Sequence, residues 1–318
     1  MTIELMGVAS LLKQRERILL LCHQSPDGDT LGSAAGLCLA LQRLGKQARI
    51  ECSDPFPRKY DYMLSPVKRE DFAPDLIMAV DVADEKLLGE KVVSLYGGKV
   101  ELCVDHHASQ RQFAPLVYVD KNAAATAEII FELVELLGVS MDKEIANCLF
   151  TGLSTDTGCF RYGNTTPHTH LVAAQLMESG AQAADINTRM FETKTRARIE
   201  LERMVLSNLE FYENGQCALI SITREMLARS GAEENDLEGI APIPRKIEGV
   251  KIGLTLREKE NGDYKISVRT APEMDASELC KRLGGGGHRQ AAGCTVEGGL
   301  DRAKHTVVGL AREMLRGR

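Results

Sequence analysis

The first half of the chain alternates short apolar runs with segments of helical spacing, and this pattern limits the fold more than any other feature. Strands are predicted for the runs Ile18–Cys22, Gln47–Cys52, Asp75–Val80 and Val100–Val104. Helices are predicted for Leu31–Leu44, Ala123–Leu137 and Asp142–Leu153. Strands that alternate with helices form largely parallel sheets covered on both faces. The pattern therefore predicts an α/β fold whose N-terminal, mostly parallel sheet is flanked by helices.

The length of 318 residues and the pattern of the second half predict a further domain. A charged segment from Asn187 to about Leu209 has the spacing of a long connecting helix. The elements predicted after it are a strand at Cys217–Thr223, a hairpin around Asn261-Gly262, and helices at Asp275–Leu283 and Asp301–Leu315. The predicted organisation is a metal-binding domain (1–186), a linker helix (187–212) and a smaller C-terminal α/β domain (213–318).

Charge and composition narrow the class of substrate. The chain has 44 % apolar and 26 % charged residues, an ordinary globular balance. Its net charge of −6 is poorly suited to gripping long duplexes through many phosphates. With 5 % aromatic residues and no Trp, it also lacks the composition of a stacking platform for long single strands. Small anionic substrates are therefore favoured over long nucleic acid.

Cysteine usage and hydropathy predict the compartment. The nine cysteines are odd in number and form no CxxC pair, so neither a disulfide framework nor a zinc finger is expected. Three cations (Lys13, Arg15 and Arg17) precede the first apolar run, which is too short for a signal peptide core. No run approaches the roughly 18 apolar residues of a membrane span. We expect a cytoplasmic protein that is not bound to membranes.

Side chains of the kind that bind metals follow three of the predicted strands. The first strand ends at His23, the third at Asp81, and the fourth at Asp105, His106 and His107. The carboxyl ends of parallel strands meet at one edge of the sheet, where ligands bind. Each residue also has an ordinary alternative, such as a helix cap for Asp81 or a surface position for the histidines. Together they predict a site at this edge.

Three more carboxylates belong to the same prediction. Asp27 and Asp29 flank Gly28 in the loop HQSPDGDTLGS, and Asp156 follows an apolar helix in STDTGCFRY. Capping or turn roles are the alternatives. Carboxylates held this close are costly unless cations neutralise them. Mixed imidazole and carboxylate donors predict two divalent ions, with Mn²⁺ as the first expectation and Mg²⁺, Co²⁺ or Fe²⁺ as alternatives. Such a pair can generate a hydroxide and stabilise an in-line displacement at phosphorus.

Two further features could contact phosphate. Backbone N–H groups in the segment GGGGHRQAAG can approach an anion closely, with a histidine and an arginine beside them. The residues concerned are Gly285, Gly286, Gly287, His288 and Arg289. A flexible helix end is the alternative for this segment. Arg161 could bind a phosphate through two hydrogen bonds, with a surface arginine as the alternative.

These motifs resemble a known family. HQSPDGDTLGS, VDVAD, VDHH and STDTG, in this order, are similar to the four motifs of the DHH phosphoesterases, and GGGGHRQAAG is similar to the signature of the associated C-terminal domain. The combination most resembles the bifunctional oligoribonuclease and 3′-phosphoadenosine-5′-phosphate phosphatase group, the nanoRNases. The resemblance implies an active-site cleft between the two domains, with the C-terminal domain holding the rest of the substrate.

The resemblance also implies roles for individual residues. One metal ion would be bound by His23, Asp27 and Asp81, and the other by Asp29, Asp81, His106 and Asp156. Asp81 would then bridge the two ions. Asp105 would support the neighbouring ligands and His107 would contact the phosphate, so that Asp81 and His107 act most directly in catalysis.

The predicted function is metal-dependent hydrolysis by a two-metal hydroxide mechanism. The expected substrates are RNA oligonucleotides of two to five nucleotides, cleaved to 5′-mononucleotides as by an exonuclease, and 3′-phosphoadenosine-5′-phosphate, converted to AMP. The alternatives are a linear or cyclic dinucleotide phosphodiesterase, an inorganic pyrophosphatase or polyphosphatase, a RecJ-like exonuclease and a non-catalytic nucleotide-binding regulator. Long duplex nucleic acid and membranes are not expected partners, and a homodimer is left open.

Overall fold

A computed structural model describes residues 2–237 and 239–317 of the chain. The chain divides between Thr193 and Lys194 into two compact units, each with its own hydrophobic core. This division falls inside the segment predicted as a linker. Among the described residues, no helix combines the length and apolar character needed to cross a lipid bilayer.

The first unit is a parallel sheet with helices. Its strands are β1 (Arg17–Leu21), β2 (Gln47–Glu51), β3 (Leu76–Val80), β4 (Leu102–Asp105) and β5 (Leu116–Val119). Its helices are α1 (Leu5–Gln14), α2 (Gly28–Arg43), α3 (Asp61–Leu64), α4 (Gly89–Tyr96), α5 (Thr126–Leu137), α6 (Lys143–Asp156), α7 (Pro167–Glu178) and α8 (Ala183–Asn187). Short 3₁₀ turns lie at Arg58–Tyr60 and Glu85–Leu88, and a π-turn at Thr188–Glu192.

The strand order explains where a site can form. The strands are arranged β2-β1-β3-β4-β5, and every neighbouring pair is parallel. The chain therefore moves outward in one direction to β2 and in the other direction from β3 onward. In open parallel sheets the crevice beyond the carboxyl ends of the strands at this reversal is the usual ligand site. Here that point lies beyond β1 and β3, and the predicted α/β class is confirmed.

Three glycines allow α2 and α6 to lie close together. A Cβ on Gly28 would come within 2.3 Å of the Thr155 hydroxyl, and one on Gly32 within 2.4 Å of the Cys148 carbonyl oxygen. On the other helix, a Cβ on Gly152 would lie 2.8 Å from Asp29 Oδ1. Small residues at a helix crossing let the backbones approach closely. This approach brings the first turn of α2 beside the last turn of α6.

The second unit is smaller and has a mixed sheet. Its helices are α9 (Arg196–Ser207), α10 (Arg224–Ser230), α11 (Ala276–Lys281) and α12 (Leu300–Leu315). Its strands are β6 (Glu210–Tyr212), β7 (Cys217–Ile222), β8 (Ile252–Glu258), β9 (Tyr264–Thr270), β10 (Gly286–His288) and β11 (Ala291–Val296). Short 3₁₀ turns lie at Glu234–Leu237 and Pro244–Lys246. The order is β10-β11-β9-β8-β7-β6, with β7 and β8 parallel and the other pairs antiparallel.

One prediction about local structure needs correction. The charged segment predicted as one helix is interrupted, because α9 begins only at Arg196 after the non-helical residues 193–195. The Thr195 side chain accepts a hydrogen bond from the Arg198 N–H and so caps a new helix start. In the glycine-rich segment, Gly286–His288 pairs with β11, so the alternative of a flexible helix end does not apply. A Cβ on Gly287 would lie 2.6 Å from the Ala292 Cα, so this pairing requires glycine there.

Candidate metal centre

The side chains predicted to bind metal converge at the carboxyl edge of the parallel sheet. His23 follows β1, Asp81 follows β3, and Asp105 ends β4 with His106 and His107 directly after it. The remaining members are Asp27 and Asp29 at the start of α2 and Asp156 at the end of α6. The structure thus brings together side chains up to 133 residues apart in sequence, from His23 to Asp156.

One group of donors lies around His23. Its Nε2 atom is 3.6 Å from Asp27 Oδ1 and 3.8 Å from Asp81 Oδ2. The other ring nitrogen, Nδ1, lies 2.7 Å from the Gln24 carbonyl oxygen, so Nδ1 carries the proton and Nε2 is left free as a donor to a cation. The three ligand atoms lie within 4.8 Å of one another, close enough to hold one ion.

A second group lies around His106. Its Nε2 atom is 3.6 Å from Asp156 Oδ2, 3.9 Å from Asp29 Oδ2 and 3.8 Å from Asp81 Oδ1. Asp29, His106 and Asp156 again have ligand atoms within 4.8 Å of one another. Asp81, His106 and His107 form a third, overlapping group by the same measure.

Asp81 connects the groups. One carboxylate oxygen faces His23 and the other faces His106, and the side chain is only 3 % exposed. Its backbone is left-handed, with φ of +61°. A non-glycine residue in this region costs about 1–3 kcal/mol, and such strain is concentrated at functional sites. The turn directs the carboxylate from the end of β3 toward both groups.

The carboxylates repel one another in the absence of a cation. Burial, followed by the charge of Asp29, raises the pKa of Asp81 well above its usual value. Burial likewise raises the pKa of Asp29. Burial and then Asp29 raise the pKa of Asp156 to about 7. Bound divalent cations would reverse these shifts, because they stabilise the ionised form of each carboxylate. The donor set of imidazole and carboxylate groups therefore fits a pair of divalent ions.

Asp105 organises the two histidines that follow it. Its Oδ1 atom accepts hydrogen bonds from the His106 N–H, the His107 N–H and His107 Nδ1, the last at 2.7 Å. The bond from the imidazole is the main reason that the pKa of His107 is raised. The other oxygen, Oδ2, is buried and has no hydrogen-bond partner among the described residues. His107 itself is about half exposed, at 45 % of its side chain.

The residues predicted to contact phosphate are divided between the two units. Arg161 lies on the surface of the first unit, where its Nε donates to the Gly158 carbonyl oxygen and its guanidinium lies 5.8 Å from the Phe191 ring centre. Gly158, Cys159 and Phe160 before it are all left-handed, with φ near +60°. The residues Gly285, Gly286, Gly287, His288 and Arg289 belong to the second unit, at and beside β10.

Sequence patterns did not reveal several residues that contact the ligands. Thr126 and Ala127 donate to Asp29, and the Thr126 hydroxyl donates to Asp81. Glu128, which is 3 % exposed, lies in the same turn. The only sequence signal was an acidic residue inside the apolar run TAEII, which is unusual for a buried helix face.

A two-unit α/β chain with this donor cluster at the reversal of its parallel sheet defines a class of candidate metal-dependent hydrolases. Residues 17–153 match the DHH family, N-terminal domain, and residues 215–313 match the DHHA1 domain. The chain belongs to the DHH family of phosphoesterases, and the predicted family and hydrolase class are confirmed.

The relatives agree over nearly the full length. The bifunctional oligoribonuclease and PAP phosphatase NrnA of Thermus thermophilus is 34 % identical over 315 residues, covering 97 % of this chain and 93 % of that protein. The protein of the same description from Bacillus subtilis is 25 % identical over 286 residues, covering 88 % and 90 %. An exopolyphosphatase-related protein from Bacteroides fragilis superposes with a TM-score of 0.86 at 25 % identity, covering 98 % and 96 %.

Proposed function

We propose that this hydrolase degrades RNA oligonucleotides of two to five nucleotides to 5′-mononucleotides and converts 3′-phosphoadenosine-5′-phosphate to AMP. The proposal is supported by the activities in the descriptions of the Thermus and Bacillus relatives. The observation that carries it is the position of Asp81, whose two carboxylate oxygens face separate groups of metal-type donors. A carboxylate in this position suits a pair of ions held close together.

In this proposal His23, Asp27 and Asp81 hold one divalent ion. The second is held by Asp29, Asp81, His106 and Asp156, and Mn²⁺ is favoured because the donors mix nitrogen and oxygen. The metal pair would supply an activated water and neutralise charge on the phosphoryl oxygens. The geometric support is that His23, Asp27 and Asp81 have ligand atoms within 4.8 Å of one another, as do Asp29, His106 and Asp156. Asp81 Oδ1 also lies 3.8 Å from His106 Nε2.

The chain's own groups do the remaining work. Asp105 accepts a hydrogen bond from Nδ1 of His107 and raises the pKa of this half-exposed ring. In the protonated imidazolium form, Nε2 can then donate a hydrogen bond to a phosphate oxygen. Arg161 would bind a further phosphate group of the substrate. The backbone N–H groups of the glycine-rich segment, with His288 and Arg289, would bind the rest of the nucleotide.

The test compares Asp81→Ala with Asp84→Ala in release of AMP from diadenylate and from 3′-phosphoadenosine-5′-phosphate. Asp84 lies three residues later, where it caps a 3₁₀ turn and pairs with Arg111, so its loss removes an acidic group without touching the donor groups. Mutation of a group that hydrogen-bonds a metal ligand lowers metal affinity or activity about 10–100-fold. Loss of the shared ligand itself should therefore lower AMP release by more than about 100-fold. Asp84→Ala should stay near wild-type activity.

Three results would contradict the proposal. AMP release by Asp81→Ala near the wild-type rate would refute the shared ligand. A wild-type protein that is inactive on both nucleotides, with or without Mn²⁺, would refute the proposed hydrolytic activity. Phosphate release from pyrophosphate, without release of AMP from either nucleotide, would replace the proposal by a pyrophosphatase.

A further inference from the structure

The start of α5 contacts the candidate ligands through one short segment, Ala123–Ala127, here termed the strap. The Thr126 and Ala127 N–H groups donate to the two oxygens of Asp29 at 2.7 and 2.9 Å. The Thr126 hydroxyl donates to Asp81 Oδ1 at 2.8 Å. Thr126 is fully buried, so both of these ligands are held from inside the protein rather than through solvent.

The strap also fixes the orientation of His106. The Ala123 carbonyl oxygen lies 3.2 Å from His106 Nδ1. A carbonyl can only accept, so Nδ1 carries the proton and Nε2 presents its lone pair to Asp29, Asp81 and Asp156. Such a bond to the outer nitrogen is how proteins orient a histidine toward a metal.

Asp156, the remaining candidate ligand of the second ion, is connected to the strap through the side chain of Asn164. Its Nδ2 atom donates to the Ala124 carbonyl oxygen at 2.8 Å and approaches the Asp156 carbonyl oxygen at 3.2 Å. The strap therefore touches Asp29, Asp81 and His106 directly and Asp156 through one side chain. These are the four residues assigned to the second ion in the proposed function.

Glu128 anchors the strap from the other side. Its Oε2 atom accepts from the Ala124 N–H at 3.0 Å and from the Thr169 hydroxyl at 3.2 Å, while Oε1 lies 3.6 Å from His168 Nε2. The side chain is 4 % exposed. A buried carboxylate costs free energy unless it is well hydrogen-bonded, and no step of the proposed hydrolysis uses this one.

Local sequence explains why α5 needs partners at its start. The N-cap residue is Ala125, which has no side-chain oxygen and makes no capping bond. The first N–H groups of a helix need acceptors, and Asp29 supplies them from another element. The positive end of the α5 dipole also favours the ionised carboxylate of Asp29. The strap and the ligand thus stabilise each other.

We infer that Thr126 and Glu128 are positioning residues, which hold the strap so that the four candidate ligands of the second ion are oriented before the ion binds. The inference rests on the proposed function for the nature of that ion. It concerns residues that touch no substrate. It also gives the buried Glu128 a structural role, whereas the proposed hydrolysis gives this residue none.

Mn²⁺ titration of the full chain by calorimetry tests the role of Thr126. Thr126→Val keeps the shape but removes the hydroxyl bond to Asp81, and it should weaken one of the two binding events about 10- to 100-fold. Thr126→Ser retains the hydroxyl and should restore affinity. Thr255→Val is the matched control, since it removes the bond from a buried hydroxyl to Ala241 in the second unit. This control should bind Mn²⁺ as the wild type does.

The role of Glu128 is tested first in the metal-free protein and then by Mn²⁺ binding. Nitrogen NMR of the histidine rings in the metal-free protein should show His106 protonated at Nδ1 in the wild type. Glu128→Gln can still accept from the Ala124 N–H and should retain this tautomer. Glu128→Leu cannot, and should give a mixture of tautomers together with weaker binding of one Mn²⁺. If it does not fold, the result for Thr126→Val decides alone.

The outcomes separate the inference from the proposed function. Two Mn²⁺ ions bound by the wild type with unchanged affinities in Thr126→Val would overturn the positioning role and leave the metal centre intact. A wild-type protein that binds no Mn²⁺, Mg²⁺, Co²⁺ or Fe²⁺ would overturn both. Weaker binding in Thr126→Val and equally weak binding in Thr126→Ser would assign the effect to packing and overturn the positioning role.

Discussion

At the scale of single residues, Asp27 caps a helix and also lies among the candidate metal ligands, although its sequence context suggested these two roles as alternatives. Its Oδ1 atom accepts from the Asp29 and Thr30 N–H groups and so caps α2. The same carboxylate lies 3.6 Å from His23 Nε2 in the first group of donors. A capping role therefore does not count against a metal role at this position.

The two roles of Asp27 can be separated by substitution. Asparagine caps a helix about as well as aspartate, whereas alanine costs about 0.5–2 kcal/mol of stability. We expect Asp27→Asn to unfold in urea with EDTA near the wild-type midpoint but to lose affinity for one Mn²⁺ ion. Asp27→Ala should lose both stability and affinity. Wild-type Mn²⁺ affinity in Asp27→Asn would show that the carboxylate only caps the helix.

At the scale of elements, the site depends on the close approach of α2 and α6. Gly152 lies in the middle of this contact, where an added Cβ would meet Ala127 at 2.7 Å and Asp29 Oδ1 at 2.8 Å. Both neighbours are held in place by the packed interior, so neither can move without shifting a helix or a candidate ligand.

Gly152→Ala should therefore be destabilising although alanine is the better helix former. Overpacking of this kind costs about 1–3 kcal/mol, more than the propensity gain of about 1 kcal/mol. Gly309→Ala in α12 is the matched control, because a Cβ there meets nothing within 4 Å. It should stabilise the protein by about 0.5–1 kcal/mol. Urea unfolding measures both, and a stabilised Gly152→Ala would contradict the proposed close contact.

The apolar pattern made β3 visible in the sequence and left β5 undetected. Every residue of β3 is buried, and its strand was visible as an uninterrupted apolar run. By contrast, β5 is a short strand at the sheet edge with three of four residues only partly buried, and it was not predicted. The apolar pattern of β5 is weak because this short strand is partly exposed at the edge of the sheet.

The candidate site likewise contains residues whose positions could be inferred from the sequence and contacts that could not. The positions of His23, Asp81 and His106 could be inferred because a parallel sheet brings its carboxyl ends to one edge. The contacts of Thr126 with Asp29 and Asp81 could not, since they join residues 97 and 45 positions apart through packing of α5 on other elements. Local patterns carry no signal for such contacts.

At the scale of the whole molecule, the two units contribute separate parts of the proposed function. All candidate metal ligands precede Thr193, and the glycine-rich segment follows Lys194. Each unit has a hydrophobic core of its own, around β1–β4 in the first and around β7–β9 in the second. A chain organised in this way should retain metal binding in one part after separation.

Fragments 1–193 and 194–318 test this division. A ligand present at about 100 times its dissociation constant stabilises the folded state by about 2.7 kcal/mol, provided that it does not bind the unfolded chain. We therefore expect Mn²⁺ to raise the melting temperature of fragment 1–193 and to leave that of fragment 194–318 unchanged. Fragment 1–193 carrying Asp81→Ala serves as the control and should respond little. Because the glycine-rich segment is missing, fragment 1–193 should also release AMP from diadenylate more slowly than the full chain. Equal rates for the two would show that the second unit does not contribute to substrate binding.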